Sequence, residues 1–259
     1  MKVKDIMTTD IISVDKDIDL KYVLKLMEKN EITKIPVLEN KKVIGMITDN
    51  NIAYKIGSIR KKGVPPSRMH ASSVTDKEID CTTPDTEIEK LLEKVGKPGP
   101  TIICVTDKDN LVGVITKADL LQLVESKKQL REIMHKNIEV VSPDDRIIHA
   151  RRKIIDTNLA RLPVIENGKI IGIISDNEVA FAFAKLKEDF SLGHQKHQLE
   201  ELIVRDYMKS PVIYTTPNMS IAEAAKLMIN KNVGCLPLIE NDSLVGIVTR
   251  TDLLNTIPR

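Results

Sequence analysis

Gly246-Ile247-Val248-Thr249-Arg250-Thr251-Asp252-Leu253-Leu254 reads as the end of an apolar strand running into a helix, with a hydroxyl at the junction. The chain holds this stretch four times. The other three are Gly45-Met46-Ile47-Thr48-Asp49-Asn50-Asn51, Gly113-Val114-Ile115-Thr116-Lys117-Ala118-Asp119 and Gly172-Ile173-Ile174-Ser175-Asp176-Asn177-Glu178. In each, an apolar helix start lies 25 residues before the glycine, at Leu20, Ile88, Ile147 or Ile221. Identical spacing four times makes the chain an internal repeat, one supersecondary unit copied.

More of each copy lines up. Three copies open on an acid followed by methionine: Asp5-Ile6-Met7, Glu132-Ile133-Met134 and Asp206-Tyr207-Met208. The same three carry a proline nine residues before the glycine, at Pro36, Pro163 and Pro237. The second copy lacks the methionine and is expected to place Ile103 at the proline position. Its Asp107-Lys108-Asp109-Asn110 turn then reads as one residue longer, and its helix-to-strand connection as one shorter. The repeats run over 1–58, 72–127, 128–188 and 203–258. A basic, Pro-containing loop at 59–67 joins the first copy to the second and a polar stretch at 189–199 joins the third to the fourth, while the second and third follow closely through 125–129; the first is expected to pair with the second and the third with the fourth.

Each copy predicts β-α-β-β-α. The first strand is an apolar stretch such as Ile11 to Val14 or Val212 to Tyr214. The first helix has apolar residues at i, i+3, i+4 and i+7, as in Leu20, Val23, Leu24 and Met27, although Arg151 interrupts the stripe in the third copy. The proline strand is expected to lie at an edge or to begin there, because proline offers no ladder donor. The second helix is expected to start at the Ser or Thr.

Composition narrows the function. Apolar content of 42% supports packed cores, and units this small must bury surface against one another. A net charge of +2 with interspersed signs argues against a strong basic field for nucleic acid, and Lys61, Lys62 and Arg68 have no aromatic platform beside them. The chain shows no long apolar run and no signal-type amino terminus, which points to the cytoplasm. Cys81, Cys104 and Cys235 read as reduced thiols. His194 and His197 lie in a polar linker with no acid or cysteine to complete a metal set.

The junction itself has two readings. Ser or Thr followed three residues later by an acid is a helix capping box, which needs no ligand. The same geometry also suits a nucleoside phosphate. The helix amino terminus attracts phosphate, the acid can accept from vicinal ribose hydroxyls, and the glycine lets something approach the backbone.

The Asp-Ile-Met opening, the Arg161-Leu162-Pro163-Val164-Ile165 strand and the Gly246–Leu254 ending together resemble the CBS domain, over nearly the whole chain. The resemblance implies an α/β fold of four tandem β-α-β-β-α repeats, paired into two Bateman modules that form a disc. Four-repeat chains are similar to the gamma subunit of AMP-activated kinase. The implied function is a non-enzymatic regulatory sensor. It binds an adenine nucleotide (AMP, ADP or ATP) between paired repeats and signals occupancy to an unidentified protein. The alternatives are an S-adenosylmethionine-binding protein or a scaffold with no ligand. A monomer or homodimer is expected.

The resemblance also implies which residues bind. Thr116 and Asp119 face Val14, Thr33 and Lys34 of the first repeat, and Thr249, Thr251 and Asp252 face Ser142, Ala160 and Arg161 of the third. A base two residues before the proline, Lys34 or Arg161, contacts phosphate, and Lys117 and Arg250 add a second base to each site. The other two sites are expected to be weak. They have Asn51 and Glu178 at the acid position, and Thr101 and Cys235 where a base would help.

Overall fold

The computed structural model describes residues 1–56, 65–95, 102–157, 159–189 and 201–258. Lys61, Lys62, Thr101, His194 and His197 therefore lie outside the described residues. Among the described residues no helix is long and apolar enough to cross a membrane, and no group of three or more His, Cys, Asp or Glu could hold a metal ion.

The four repeats share one plan. The first helices span Leu20–Lys29, Ile88–Val95, Ile147–Thr157 and Ile221–Asn230, each starting at the apolar residue the spacing marks. Asp19 caps the first by accepting from the Tyr22 amide at 2.8 Å, and Ser220 caps the fourth within a Ser220/Glu223 capping box. A hairpin follows in each repeat: β2 Lys34–Glu39 with β3 Lys42–Thr48, β5 Ile102–Asp107 with β6 Asn110–Thr116, β7 Arg161–Glu166 with β8 Lys169–Ser175, and β9 Cys235–Glu240 with β10 Ser243–Thr249. All four hairpins turn on two residues with positive φ: Asn40-Lys41, Lys108-Asp109, Asn167-Gly168 and Asn241-Asp242. Such turns match the twist of paired strands. The second helices begin one residue after the Ser or Thr, at Asp49, Lys117, Asp176 and Arg250.

Three expectations change. The first strands are shorter and later than predicted: β1 is Val14–Asp15 and β4 is Cys81–Thr82, while Val141 and Thr215 make single bridges. The second repeat has a two-residue turn like the others. Its Cys104 opposes Val114 as Pro36 opposes Met46, so Cys104, not Ile103, takes the proline position. The same register puts Ile102, not Thr101, at the place of Lys34, since each faces the junction threonine. The extra residue inferred from the sequence was a misalignment in a copy that lacks both its methionine and its proline.

The proline strand is not an edge in the first repeat, where β2 lies between β1 and β3. The parallel neighbour pairs at Val37, the residue after Pro36, and likewise at Val164 and Leu238. Where that neighbour needs an acceptor, proline still has its carbonyl: the Val141 amide donates to Pro163 and the Thr215 amide to Pro237, each at 3.0 Å. On the other side, Met46, Ile173 and Ile247, opposite the prolines, turn their amides away to another segment. The missing N–H therefore leaves no ladder acceptor empty.

That other segment is the opening of a different repeat. Thr8 of the first opening exchanges backbone hydrogen bonds with Val114 of the second repeat, at 2.8 and 2.9 Å. Asp76 of the second opening does so with Met46 of the first repeat. His135 of the third opening pairs with Ile247 of the fourth repeat, and Lys209 of the fourth with Ile173 of the third. In the three openings that have one, the methionine lies on the receiving glycine. A Cβ at Gly113 would stand 2.6 Å from Met7 Sδ, and one at Gly246 2.6 Å from Met134 Sδ. Gly172 meets Met208 in the same way, and Gly45 meets Thr75 and the Asp76 carbonyl. The approach that the glycine allows is thus made by the protein's own chain.

The chain divides into two compact units, each built from alternate repeats plus exchanged openings. One comprises Met1–Ile11, Asp80–Ile138 and Ile213–Arg259; the other comprises Ile12–Ile79 and Glu139–Val212. In the first unit, Ile88, Leu91, Leu92 and Val95 share a core with Ile221, Ala224, Ala225 and Met228. In the second, Leu20, Val23 and Met27 share one with Ile147, Ala150, Ile154 and Phe183. A fully buried Leu or Ile side chain contributes about 1.5–3 kcal/mol, so neither repeat of a unit could keep its helix stripe alone. Arg151, which breaks the stripe, lays its guanidinium over the Phe183 ring at 5.8 Å from the centroid.

Candidate functional site

The four strand-to-helix junctions are placed by the hairpin register: each Ser or Thr ends its strand opposite the first residue of the partner strand. In the first, third and fourth repeats the residue after it donates its amide back to the residue before that partner strand. Asp49 donates to the Thr33 carbonyl at 3.0 Å, Asp176 to Ala160 at 3.4 Å and Arg250 to Gly234 at 3.3 Å.

In the first unit the capping boxes close. Asp119 Oδ2 accepts from the Thr116 amide at 2.7 Å and from Thr116 Oγ1 at 2.8 Å. Asp252 Oδ2 accepts from the Thr249 amide and from Thr249 Oγ1, both at 2.7 Å. The outer oxygens meet residues of the exchanged openings, Thr8 Oγ1 at 3.3 Å from Asp119 Oδ1 and His135 Nε2 at 2.8 Å from Asp252 Oδ1. Lys117 is buried and donates to Thr251 Oγ1 at 2.7 Å, which joins the second and fourth junctions. Arg250 donates to the Val233 carbonyl at 3.2 Å and to Asn232 Oδ1 at 3.4 Å.

The helices that follow are only Lys117–Leu120 and Arg250–Leu254. So short a helix carries little macrodipole, and the Ala118 and Asp119 amides already donate to Thr116 Oγ1 at 3.2 and 3.4 Å. At the Lys117–Leu120 helix end, where a phosphate was expected, these amides are therefore used internally.

The second unit is built differently. Thr48 Oγ1 accepts from the Asn51 amide at 3.0 Å, and Asn51 stands in place of an acid. Ser175 closes a box with Glu178, whose Oε2 accepts from the Ser175 amide at 2.9 Å and from Ser175 Oγ. Lys209 Nζ lies 3.8 Å from Glu178 Oε1. Lys34 and Arg161, the sequence-predicted phosphate contacts, come into mutual electrostatic range and face Asp49 and Asp176. Burial lowers the Lys34 pKa, with Arg161 adding to the shift and Asp49 opposing it. Burial, then Asp49, push the Asp176 carboxyl up to about 7 against the pull of Arg161.

The remaining candidates are mostly backbone. Val14 is buried in β1. Thr33 and Ala160 contribute the carbonyls already named, and Ser142 donates its amide to Asp145 Oδ2 at 2.8 Å. Sequence reasoning missed Thr8, His135, Lys209, Asp49 and Asp176. The first three directly follow the methionines, and the last two directly follow the junction hydroxyl, so both positions were visible in the aligned repeats.

The CBS-domain model matches residues 3–58, 71–126, 130–185 and 204–259. The chain belongs to the CBS-domain family. Among relatives, uncharacterised protein MJ1404 of Methanocaldococcus jannaschii is 26% identical over 98% of this chain, which spans 61% of that protein. MJ1225 of the same organism is 26% identical, with 94% of each chain covered. The crystal structure of MJ1225, described as a candidate archaeal homologue of g-AMPK, superposes with a TM-score of 0.83 at 21% identity, over 98% of this chain and 99% of that one. A structure from Pyrococcus horikoshii gives 0.61 at 18% identity, over the full length of both chains. These superpositions establish the fold of the four CBS repeats.

Proposed function

We propose that this CBS-repeat protein is a cytoplasmic, non-enzymatic regulatory sensor for an adenine nucleotide (AMP, ADP or ATP) that passes occupancy on to a partner protein. The observation that carries the reading is the state of Asp119 and Asp252. Each carboxylate is oriented by its own threonine through one oxygen, while its second oxygen meets only a donor from an exchanged opening among the contacts described above. A pre-oriented carboxylate with an outward oxygen suits the vicinal hydroxyls of a ribose. Thr116, Thr249 and Thr251 are the hydroxyls beside these acids. Lys117 and Arg250 supply positive charge for phosphate, which favours a nucleotide over the cationic sulfonium of S-adenosylmethionine.

Calorimetric titration with AMP, ATP, adenosine and S-adenosylmethionine tests the reading. We expect two tight equivalents of nucleotide per chain, and the Asp119→Ala and Asp252→Ala variants each to lose one. Equal affinity for adenosine and AMP would remove the phosphate role. If both variants keep two unchanged equivalents, these acids are helix caps only.

A further inference from the structure

Each acid at a closed junction box is met by the residue that follows the opening's methionine. Thr8 serves Asp119 at 3.3 Å, His135 serves Asp252 at 2.8 Å, and Lys209 stands 3.8 Å from Glu178. The inner oxygen of Asp252 already accepts two hydrogen bonds at 2.7 Å, so its rotamer is set without the opening. What His135 adds is occupation of the outer oxygen. A ligand diol that hydrogen-bonds there must share that oxygen with the imidazole or displace it. Breaking a hydrogen bond between ionised partners costs more than breaking a neutral one, so the competition depends on the charge of the imidazole.

We propose that His135 is a positioning residue that makes the Asp252 site pH-responsive. As imidazolium it holds the outer carboxylate oxygen and weakens a diol-bearing ligand; as neutral imidazole it yields. The Asp119 site, with Thr8 in the same place, lacks this response because a hydroxyl stays neutral. The inference rests on the reading of Asp252 as a ligand acceptor.

Among the described residues the charged group in contact with His135 is Asp252. The strand Ser243–Thr249, which pairs its backbone with His135 through Ile247, carries no charged residue. On the helix Arg250–Leu254 the charged residues are Asp252 and Arg250, and Arg250 directs its guanidinium to Val233 and Asn232. On its own segment, Glu132 accepts from the Gln129 amide at 3.2 Å, Arg131 holds Asn218 and Glu240, and Lys136 follows directly. Imidazole as a side-chain type changes charge between about pH 5 and 8, which sets the two pH values of the test.

The test uses the full chain carrying Asp119→Ala, which keeps the Asp252 site, titrated with ADP at about pH 5.5 and about pH 8. The same titrations are made with His135→Ala and with His135→Gln added; Gln keeps a neutral donor and does not titrate. His135 is exposed, so both variants are expected to fold. Because the ADP phosphates titrate identically in all three, the ratio of affinities between variants isolates His135. We expect His135→Ala to bind about tenfold tighter than its parent at the lower pH and within about twofold at the higher, with His135→Gln nearly flat. A ratio that does not change with pH, or weaker binding by His135→Ala at low pH, overturns the proposal alone. If the unmodified chain binds no adenine nucleotide at either pH, the proposed function falls and this inference falls with it.

Discussion

The two units carry the same junction with the charges exchanged. In the second unit the bases Lys34 and Arg161 begin the strands, and the acids Asp49 and Asp176 begin the helices. In the first unit the strands begin with the apolar Ile102 and Cys235, and the helices begin with the bases Lys117 and Arg250. The acids Asp119 and Asp252 are drawn into capping boxes, and Lys117 and Arg250 donate to neutral oxygens of Thr251, Val233 and Asn232. One backbone unit thus yields two electrostatic designs, depending on which of two adjacent positions holds the charge. In the second unit each base faces an acid, and in the first the described hydrogen bonds of both bases run to neutral oxygens.

The largest contrast should come from the glycines. At Gly45 an added methyl group meets the Asp76 backbone carbonyl, which cannot rotate aside, whereas at Gly113 and Gly246 it meets a methionine sulfur, which can. Gly45→Ala should therefore cost about 3 kcal/mol in urea unfolding, and Gly113→Ala about 1 kcal/mol. Adding Met7→Ala should recover part of the Gly113→Ala loss and none of the Gly45→Ala loss. Equal costs at both sites would mean that the exchanged openings do not differ in rigidity.

Next in size is ligand binding. Loss of the ribose acceptor in Asp119→Ala or Asp252→Ala should weaken its own site by about 1–3 kcal/mol, while leaving the other site unchanged. Calorimetric stoichiometry reads both effects together. If Asn51→Asp then creates a third equivalent, the weakness of the second unit's junctions lies in that one residue.

A smaller effect concerns pH. The folded Asp176 carboxyl titrates at about 7, above its ordinary value of 3.8, so folding favours its protonated form. Stability from this group is present at low pH and is lost as pH rises from about 4 to about 7. Asp176→Asn should therefore raise the melting temperature at pH 8 and leave it nearly unchanged at pH 4. A variant equally stable relative to the parent at both values would show that Arg161 fully compensates the acid. Smallest, Thr251→Val should cost about 1 kcal/mol by removing an acceptor of the buried Lys117 ammonium.

Much of this was legible in the chain. Helix starts at Leu20, Ile88, Ile147 and Ile221 follow from a spacing that four copies repeat, and local apolar periodicity is enough to place them. The capping boxes at Thr116, Ser175 and Thr249 were equally visible, because they join residues three apart. Register in the second repeat was not legible. With neither methionine nor proline to anchor it, only the pairing of Cys104 with Val114 removes the spurious one-residue shift.

By itself the sequence determined the repeat, the order of elements and the residue types at each junction, since all of these depend on neighbours within about 25 positions. Tertiary structure decided which repeat receives each opening and what faces each acid. Met7 lies 106 positions before the glycine it covers, and His135 lies 117 from Asp252. No local pattern encodes such pairs. They arise because each opening exchanges backbone hydrogen bonds with the second hairpin strand of another repeat, and because the helix stripes of alternate repeats share one core, so both join residues far apart in the chain.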